Sequence, residues 1–288
     1  MKILNQVFLW LFLASIATAG TVQDPTVQVY LVKGDVTLIN LESGEKQPLQ
    51  RGDLISEGYA IETQVDSSAL LLFSNGSSIN IIPESFVKIA EFTQEPFEMA
   101  AKSYALLGED PSTSNTTLEL HYGKVVGSVR KLQPTSSYTI NSPTGSAGIR
   151  GTTFVFATIT KSDASLASAG ELQSAITSLS VGEGVVDLTV NGNTYTVNAG
   201  ESKTITVTFN DGTTGELLIS AIDAGETGPM TTDDAALLEQ INQDLTDAQN
   251  NEFLISPGGD EGDLVLTPLE TGNLINMDGG TVNVVSPF

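Results

Sequence analysis

An acidic, glycine-rich turn at residues 258–263 is the strongest candidate for metal chemistry in the sequence. Clustered carboxylates and backbone carbonyls are the oxygen ligands that Ca²⁺ takes in proteins. The carboxylates available here are those of Asp260, Glu261 and Asp263. The turn occurs only once, whereas repeated calcium-binding turns need stacked copies to complete each site. We therefore interpret it as a solvated turn, keep calcium as the alternative, and predict neither a metal site nor a cofactor.

Residues 141–156 form a second unusual stretch, which places Pro143, three glycines and Arg150 directly before an alternating strand. The guanidinium group of Arg150 carries five donors, which can satisfy turn carbonyls or hold a carboxylate. We favour the first interpretation, in which Arg150 fixes the turn, over ligand binding.

The sequence contains one histidine, His121, and no cysteine. Histidine-based metal motifs need at least two such residues, and the GxSxG elbow, the Walker loop and GxGxxG do not occur. Without cysteine there is no disulfide and no thiolate nucleophile. We therefore predict that the protein is not an enzyme, and we interpret His121 as a partly exposed residue at a strand edge.

The 288 residues include 35 acidic and 12 basic side chains, which gives a formal net charge of −23. Such a surface repels phosphate backbones, so we expect no nucleic-acid partner. Lys203 is the last basic residue, and everything after it carries only acids. We interpret this region as a solvated acidic extension, with cation binding or a basic partner as the alternative.

The first nineteen residues have the features of an export signal, with Lys2, an apolar run at residues 7–14 and small residues at 17–19. The apolar run is shorter than the ~20 residues that span a bilayer. We predict cleavage after Ala19, a mature chain without a transmembrane segment, and a periplasmic or secreted location. An uncleaved membrane anchor is the less favoured alternative.

Between residues 26 and 209, short β-prone runs are separated by glycine turns, which is typical of an all-β fold. The apolar run at 69–73 is followed by Asn75-Gly76, a dipeptide that tolerates the positive φ angles of a tight hairpin. We predict a return strand at 77–82. The pattern is interrupted at residues 98–114, as a loop or short helix, and at residues 162–176, as an insertion.

The glycine spacing predicts an internal repeat. A Gly-x-Val sequence begins at Gly34 and again at Gly184, and two glycines separated by seven residues follow each one. These are Gly44 and Gly52 in the first unit, and Gly192 and Gly200 in the second. An acidic residue follows the last glycine of each unit, and an imperfect third copy starts at Gly123. We interpret the units as stacked β-hairpins that share one core.

After residue 209 the pattern changes to apolar residues at three- and four-residue spacing. This spacing predicts a helix at about 232–250, with Thr232 as its N-cap and its apolar side packed on the β-domain. The stripe consists of Ala235, Leu238, Ile241, Leu245 and Ala248. Short β-runs return after residue 260 and predict a β-tail.

Four motifs, in order along the chain, resemble the FecR domain. They are V-x-G-D-V at residues 32–36, L-x-x-G-D-x-I-x-x-G-x-x-I-x-T at 49–63, S-x-x-x-L-x-F-x-x-G-S-x-I-x-I-x-P-x-S at 67–85, and S-P-T-x-x-A-G-I-R-G-T-x-F at 142–154. The resemblance extends over about residues 27–209. Its signature residues, which we expect to be structural, are Pro143, Gly148, Arg150, Gly151, Thr152 and Phe154. Its turn glycines are Gly34, Gly52, Gly76, Gly184 and Gly200.

The resemblance implies an all-β extracytoplasmic domain, either a glycine-punctuated β-sandwich or a short β-solenoid-like fold, with one helix and a β-tail appended at the C-terminus. We expect a signal peptide at residues 1–19, a FecR-like β-domain at 20–210 and an acidic extension at 211–288. FecR regulators relay the state of an outer-membrane iron transporter to a sigma factor. They carry an anti-sigma segment and a membrane helix before the domain, where this chain has an export signal.

We therefore expect an exported, non-catalytic module for protein or ligand binding, or for signalling, in the cell envelope. Its partner is an unknown envelope protein or polymer. The first alternative is an acidic structural or calcium-binding surface protein, and the second is a FecR-type regulator in iron-transport signalling. A cell-wall hydrolase has no positive motif in its favour.

Overall fold

The computed structural model describes residues 22–98, 103–162, 173–211 and 217–250. The predicted export signal, the β-tail and the calcium candidates Asp260, Glu261 and Asp263 lie outside these residues. Strands dominate the described chain and one α-helix follows them, which confirms the expected all-β class with one helix. The elements are β1 (Val22–Gln23), β2 (Val27–Lys33), β3 (Val36–Asn40), β4 (Lys46–Pro48), β5 (Leu54–Ile55), β6 (Tyr59–Thr63), β7 (Ser68–Phe73), β8 (Ser78–Ile81), β9 (Ser85–Gln94), β10 (Phe97–Glu98), a 3₁₀ turn (Tyr104–Leu106), β11 (Ser114–Ser128), β12 (Ser137–Asn141), β13 (Ser146–Ile149), β14 (Thr153–Ser162), β15 (Gln173–Glu183), β16 (Val185–Val190), β17 (Asn193–Asn198), β18 (Glu201–Asp211), β19 (Leu217–Asp223), β20 (Gly228–Pro229) and α1 (Thr232–Asn250).

Two large sheets pack face to face. Sheet 1 is ordered β5–β2–β7–β8–β11–β14–β15–β18–β19, is antiparallel throughout, and receives β20 at the start of β18. Sheet 2 is ordered β4–β3–β6–β9–β11–β12–β13–β16–β17, and β11 with β12 is its parallel pair. Among the described strands, the two edge strands of each sheet do not pair with each other, so neither sheet forms a closed barrel. The fold is therefore an open β-sandwich and not a solenoid of parallel coils.

The long strand β11 belongs to both sheets. Up to Tyr122 it pairs with β9 and β12 in sheet 2, and from Gly123 it pairs with β8 and β14 in sheet 1. In both sheets the strands that precede β11 in the chain lie on one side of it, and those that follow lie on the other. At the crossing, Gly123 has a φ of 95°, and a Cβ there would stand 2.2 Å from the hydroxyl oxygen of Ser85. Only glycine fits this position without displacing β9.

One continuous core fills the space between the sheets. It consists of alternate side chains from the facing strands, because successive residues of a strand point to opposite sides. Leu71 and Phe73 enter it from β7, Val87 from β9, and Phe154 and Phe156 from β14. All five side chains are buried, so the sandwich does not depend on disulfides for its cohesion.

The repeat predicted from glycine spacing is confirmed as two four-strand units at opposite ends of the sandwich. In each unit the chain runs from sheet 1 to sheet 2, turns back within sheet 2, and returns to sheet 1, as β2 to β5 and as β15 to β18. The six glycines of the two units have φ angles between 72° and 94°. The interpretation of Gly123 as a third copy is wrong, since the chain there passes from sheet 2 to sheet 1 within a single strand.

The acidic residue after the last glycine has the same contact in both units. Asp53 accepts a hydrogen bond from the backbone N–H of Gln50 at 2.8 Å. Glu201 accepts from the backbone N–H of Asn198 at 2.9 Å, and also from the side-chain amide of Asn198. These donors lower the pKa of the Glu201 carboxyl. The acid therefore closes the turn that returns the chain to sheet 1.

Helix α1 lies on the outer side of sheet 1. Its buried residues Leu238, Ile241, Leu245 and Ala248 pack against a second apolar cluster formed by outward side chains of sheet 1 and by Ala105. The sheet residues of that cluster are Tyr30, Leu70, Leu72, Val126 and Val155. The predicted helix and its packing are thus confirmed, although Ala235 is exposed and Thr231, not Thr232, caps the helix through its hydroxyl and carbonyl oxygens.

A half-buried ion pair attaches the start of α1 to the sheet. The carboxylate of Asp234 lies 3.1 Å from Nζ of Lys124 on β11 and accepts a hydrogen bond of 2.7 Å from Ser180 on β15. At the other end of the helix, Gln249 donates to the carbonyl of Ala105 at 2.9 Å. The helix therefore crosses the strands of sheet 1 and is attached at both ends.

The predicted hairpin at Asn75-Gly76 joins β7 and β8, but the two residues have different roles. Gly76 has a φ of 83°, whereas Asn75 is not in the left-handed region. The side chain of Asn75 is instead buried and hydrogen-bonds the N–H of Ser77 and the hydroxyls of Ser114 and Thr116. The tight turn with two positive φ angles is Asn191-Gly192, at 46° and 79°, between β16 and β17.

Candidate functional site

The two outer faces of the sandwich differ. The outer side of sheet 1 is apolar at its centre and is covered by α1. On the outer side of sheet 2, the side chains of β12, β13, β16 and β17 are exposed or half-buried and almost entirely polar. Within the described residues this second face has no covering element, and it is the candidate site.

Small polar side chains form two rows across this face, perpendicular to the strands. In one row Glu119, Asn141, Ser146, Thr189 and Thr194 are successive cross-strand partners. In the other row the successive partners are Thr117, Thr139, Gly148, Asp187 and Thr196. We call the nine residues of these rows other than Glu119 the hydroxyl face.

Gly148 is a gap in the centre of the hydroxyl face. It lies inside β13, its φ is not in the left-handed region, and a Cβ added to it would meet no atom within 4 Å. Neither the backbone nor the packing of the fold therefore requires glycine here. This distinguishes Gly148 from Gly145, where a Cβ would stand 2.2 Å from the carbonyl oxygen of Thr189.

Hydrogen bonds within the face orient its side chains. Asp187 accepts from the hydroxyl of Thr196 at 2.7 Å, and the hydroxyls of Thr189 and Thr194 lie 3.2 Å apart. These are cross-strand pairs, so the sheet itself holds them in place. Thr117 also donates to Glu91 on β9 at 3.4 Å. The side chains of Asp187, Thr194 and Thr196 are exposed, so their free lone pairs are available to a second molecule.

An aromatic corner borders the hydroxyl face on β9 and β11. The ring of Phe86 packs edge-to-face with His121 at 5.2 Å and lies 5.9 Å from the ring of Tyr122. The phenol of Tyr122 donates to Glu62 at 3.0 Å. Burial, together with the adjacent carboxylate of Glu62, raises the pKa of Tyr122. His121 is thus an exposed strand residue with an aromatic neighbour.

Two lysines on this side of sheet 2 are in ion pairs. Lys88 lies 3.0 Å from Glu119, and Lys46 lies 3.8 Å from Glu62. Nε2 of His121 is 3.6 Å from the same Glu119 carboxylate. Within the described residues, no group of three or more histidine, aspartate or glutamate side chains is arranged to hold a metal ion.

The signature residues predicted from the sequence divide between the surface and the interior. Arg150 is exposed, and its Nη2 donates to the carbonyl of Gln133 at 3.1 Å. Gly151, with a φ of 65°, carries the chain from β13 in sheet 2 to β14 in sheet 1. Thr152 and Phe154 follow and are buried.

Two of the signature residues, Thr152 and Phe154, pack closely against glycines elsewhere in the chain. A Cβ at Gly184 would stand 2.5 Å from Cγ2 of Thr152, and a Cβ at Gly127 would stand 2.2 Å from the ring of Phe154. Pro143 is exposed in the turn between β12 and β13, which Ser142 and Gly145 close with reciprocal backbone hydrogen bonds. The structure therefore brings Pro143 and Gly148 to the edge and centre of the candidate face, and places the others in the sheet crossing.

The turn glycines all lie at reversals or crossings of the chain, and all have positive φ. They are Gly34, Gly52, Gly76, Gly184 and Gly200. None of them contributes a surface to the hydroxyl face.

Sequence reasoning missed the hydroxyl face as a site. The available signal was a hydroxyl, amide or carboxylate at every second residue of S-Y-T-I-N in β12, V-V-D-L-T-V in β16 and N-T-Y-T-V-N in β17. That alternation predicts one polar side for each strand. It does not say that the three polar sides meet, because the strand order depends on the β11 crossing.

No helix within the described ranges is both long and apolar enough to cross a membrane.

No curated protein sequence matches the chain. Two crystal structures of a candidate anti-sigma factor from Parabacteroides distasonis resemble it at 12% sequence identity, with TM-scores of 0.34 and 0.35. Each comparison covers 57% of this chain and 60% of the other, so the chain spans less than two thirds of those structures.

The model of the family described as FecR protein matches residues 59–187. These residues run from β6 to the middle of β16 and include the whole of β11, both sheet crossings around it and the complete Arg150 signature. The chain therefore contains a FecR domain.

Proposed function

We propose that this protein is an exported, non-catalytic FecR module that recognises a partner in the cell envelope through the outer face of sheet 2. The observation that carries the proposal is the asymmetry of the sandwich. One outer face is apolar and covered by α1, whereas the other presents ordered polar side chains around the open Gly148 position.

Three further observations support it. Residues 59–187 match the FecR family model, and the resemblance to FecR regulators implies an extracytoplasmic signalling domain. The N-terminal sequence has the composition of an export signal. The rows of the hydroxyl face lie on strands, not on loops, and a site built on rigid strands is preorganised for binding.

Position-specific photo-crosslinking in the native host tests the proposal. The crosslinking amino acid p-benzoylphenylalanine replaces Thr139 or Thr196 on the hydroxyl face in two separate variants. In two control variants it replaces Glu239 or Thr246, which are exposed on the solvent side of α1. We expect an adduct of increased mass at the face positions only, in an envelope or secreted fraction, on a chain that begins at Gly20. Adducts of equal yield at all four positions, or a chain that keeps residues 1–19 in the cytoplasm, would contradict it.

A FecR-type regulator of iron transport is the second candidate, and the family match favours it. If the protein has this function, deletion of its gene abolishes the transcriptional response of a transporter and sigma-factor operon to iron limitation. An unchanged response in the deletion strain excludes the regulator and leaves the recognition module in place.

A further inference from the structure

Nothing in the described part of the chain explains why residue 148 is a glycine. A glycine in the interior of a strand costs stability, because it adds backbone entropy to the unfolded state and offers no side chain to pack. Among the described residues, neither the backbone nor the packing requires glycine at position 148, since its φ is ordinary and nothing lies within 4 Å of an added Cβ. Where a strand glycine has no role in its own fold, the close approach of a second molecule to the backbone is the remaining structural reason.

The chemistry around Gly148 selects the kind of molecule. The hydroxyl face contains five threonines, one serine, one asparagine and a single charged residue, Asp187. Hydroxyl and amide groups both donate and accept, so they match a ligand whose own surface is made of such groups. The centre of a protein–protein interface is instead enriched in aromatic residues, methionine and arginine, which the hydroxyl face does not contain.

The geometry of the rows suits a linear polymer. Neighbouring strands are about 4.8 Å apart, so each row presents one polar group at that interval. This interval is close to the length of one sugar ring in an extended chain. A polysaccharide lying across β11 to β17 can therefore meet one row position with each ring, and the gap at Gly148 accommodates the ring that lies nearest the backbone.

The aromatic corner supplies an apolar contact beside the β11 end of the row that begins at Glu119. Tyr122 is 39% exposed, and its ring lies beside that of Phe86 on the same side of sheet 2. Aromatic rings offer a flat apolar surface of the size of one sugar ring, with a polar group at the rim of the tyrosine. The outer face of sheet 2 thus combines a stacking surface with rows of hydrogen-bonding groups.

The charges of the protein favour an uncharged polymer over a polyanion or a polycation. The chain has a formal net charge of −23, which repels polyanions. Lys46 and Lys88, the lysines on this side of sheet 2, are already in ion pairs with Glu62 and Glu119. The acids in and beside the two rows are Asp187, Glu119 and Glu91. Glu119 is paired with Lys88 and Glu91 accepts from Thr117, so these acids do not form a dense free acidic patch for a strongly basic chain.

We propose that the hydroxyl face binds an uncharged polysaccharide, laid across the strands of sheet 2 with one ring over Gly148. This proposal rests on the proposed recognition function and adds the chemical class of the partner.

The test uses the full mature chain and two neutral oligosaccharides, chitohexaose and cellohexaose, in an amide NMR titration. We expect shifts confined to β11, β12, β13, β16, β17 and the aromatic corner. Gly148→Val fills the gap with a residue that strands favour, and we expect it to weaken binding at least tenfold without lowering the melting temperature. Gly228→Val is the matched control, because Gly228 is also a strand glycine with ordinary φ and open space at its Cβ.

A second variant, Tyr122→Ala, removes the stacking surface while leaving the rows unchanged, and we expect it to weaken binding as well. No shifts at millimolar concentrations of either oligosaccharide, or equal affinity in Gly148→Val and Gly228→Val, would overturn the proposal. In-cell adducts at Thr139 that carry a protein and no sugar would overturn it too, while leaving the recognition function intact. Absence of both adducts and shifts removes both proposals.

Discussion

Gly123 and Gly192 both have positive φ, at 95° and 79°, but only Gly123 is also confined by a neighbouring strand. We expect Gly123→Ala to lower the free energy of unfolding by roughly 3 kcal/mol or more, because left-handed strain adds to the clash with Ser85. In Gly192→Ala, where nothing lies within 4 Å of the new Cβ, the loss is about 1 kcal/mol. Urea denaturation of both variants measures the difference. Equal losses would show that β9 moves aside at no cost.

Tyr138 is fully surrounded by the core, and its hydroxyl has no hydrogen-bond partner in the described part of the chain. Burial raises the pKa of Tyr138. The unfolded chain loses this proton above about pH 10 while the folded chain keeps it, so the contribution of Tyr138 to stability falls as the pH rises past that value.

We therefore expect Tyr138→Phe to leave stability unchanged or to raise it by up to about 1 kcal/mol at pH 7, since it removes a buried unpaired hydroxyl. Above about pH 10 the wild type should lose stability more steeply than the variant. Urea denaturation at pH 7 and at about pH 10.5 tests both statements. Parallel pH dependence would mean that the Tyr138 phenol ionises in the folded protein as readily as in water.

At the scale of elements, α1 is the cover of sheet 1. Ile241 is fully buried against the outer apolar cluster, whereas Asn242 beside it is exposed. We expect Ile241→Asp to release the helix, because a carboxylate cannot be buried there without a partner. Asn242→Asp adds the same charge on the solvent side and should leave the helix in place.

Hydrogen exchange of the α1 amides and binding of the dye ANS distinguish the two variants. The release of α1 exposes Leu70, Leu72 and Val126, so ANS fluorescence should rise and helix protection should fall in Ile241→Asp alone. Retained protection in Ile241→Asp would show that the Asp234 ion pair and the Gln249 contact hold the helix without its apolar stripe.

The secondary-structure elements differ in how far the sequence predicts them. Alternation and periodicity located β7, β8 and α1 because each pattern is local and specifies which side is buried. The repeat was visible since its glycines have positive φ where the chain turns within sheet 2 or passes between the sheets. The assembly of the hydroxyl face was not visible, because Thr139, Gly148 and Asp187 become neighbours only through long-range pairing. The cap at Thr231 was missed by one residue, as helix ends commonly are.

For the whole molecule, net charge dominates the response to ions. With 35 acids and 12 bases, self-repulsion destabilises the compact state at low salt. We expect the melting temperature to rise between about 20 mM and 500 mM NaCl, because salt screens this repulsion. A thermal-melt series in NaCl measures the effect, and a fall in melting temperature over this range would contradict it.

A specific effect of calcium is measured at constant ionic strength, so that charge screening by salt does not contribute. At matched ionic strength, millimolar CaCl₂ should raise the melting temperature no more than MgCl₂ does, since we interpret the turn with Asp260, Glu261 and Asp263 as solvated. A larger shift in calcium that disappears in Asp260→Asn with Asp263→Asn would establish a calcium site and favour the structural surface protein.

Strand β11 also sets the order in which the molecule can form. β8 and β9 both find their next neighbour in β11, one through its second part and the other through its first. A chain that appears from its N-terminus therefore keeps two bare strand edges until residue 128 is available. Bare edges pair readily with other chains, so this interval is the period of greatest risk of aggregation. Once β11 docks, a single event covers both edges, and the bare edges are then those of β11 itself until β12 and β14 pair with it.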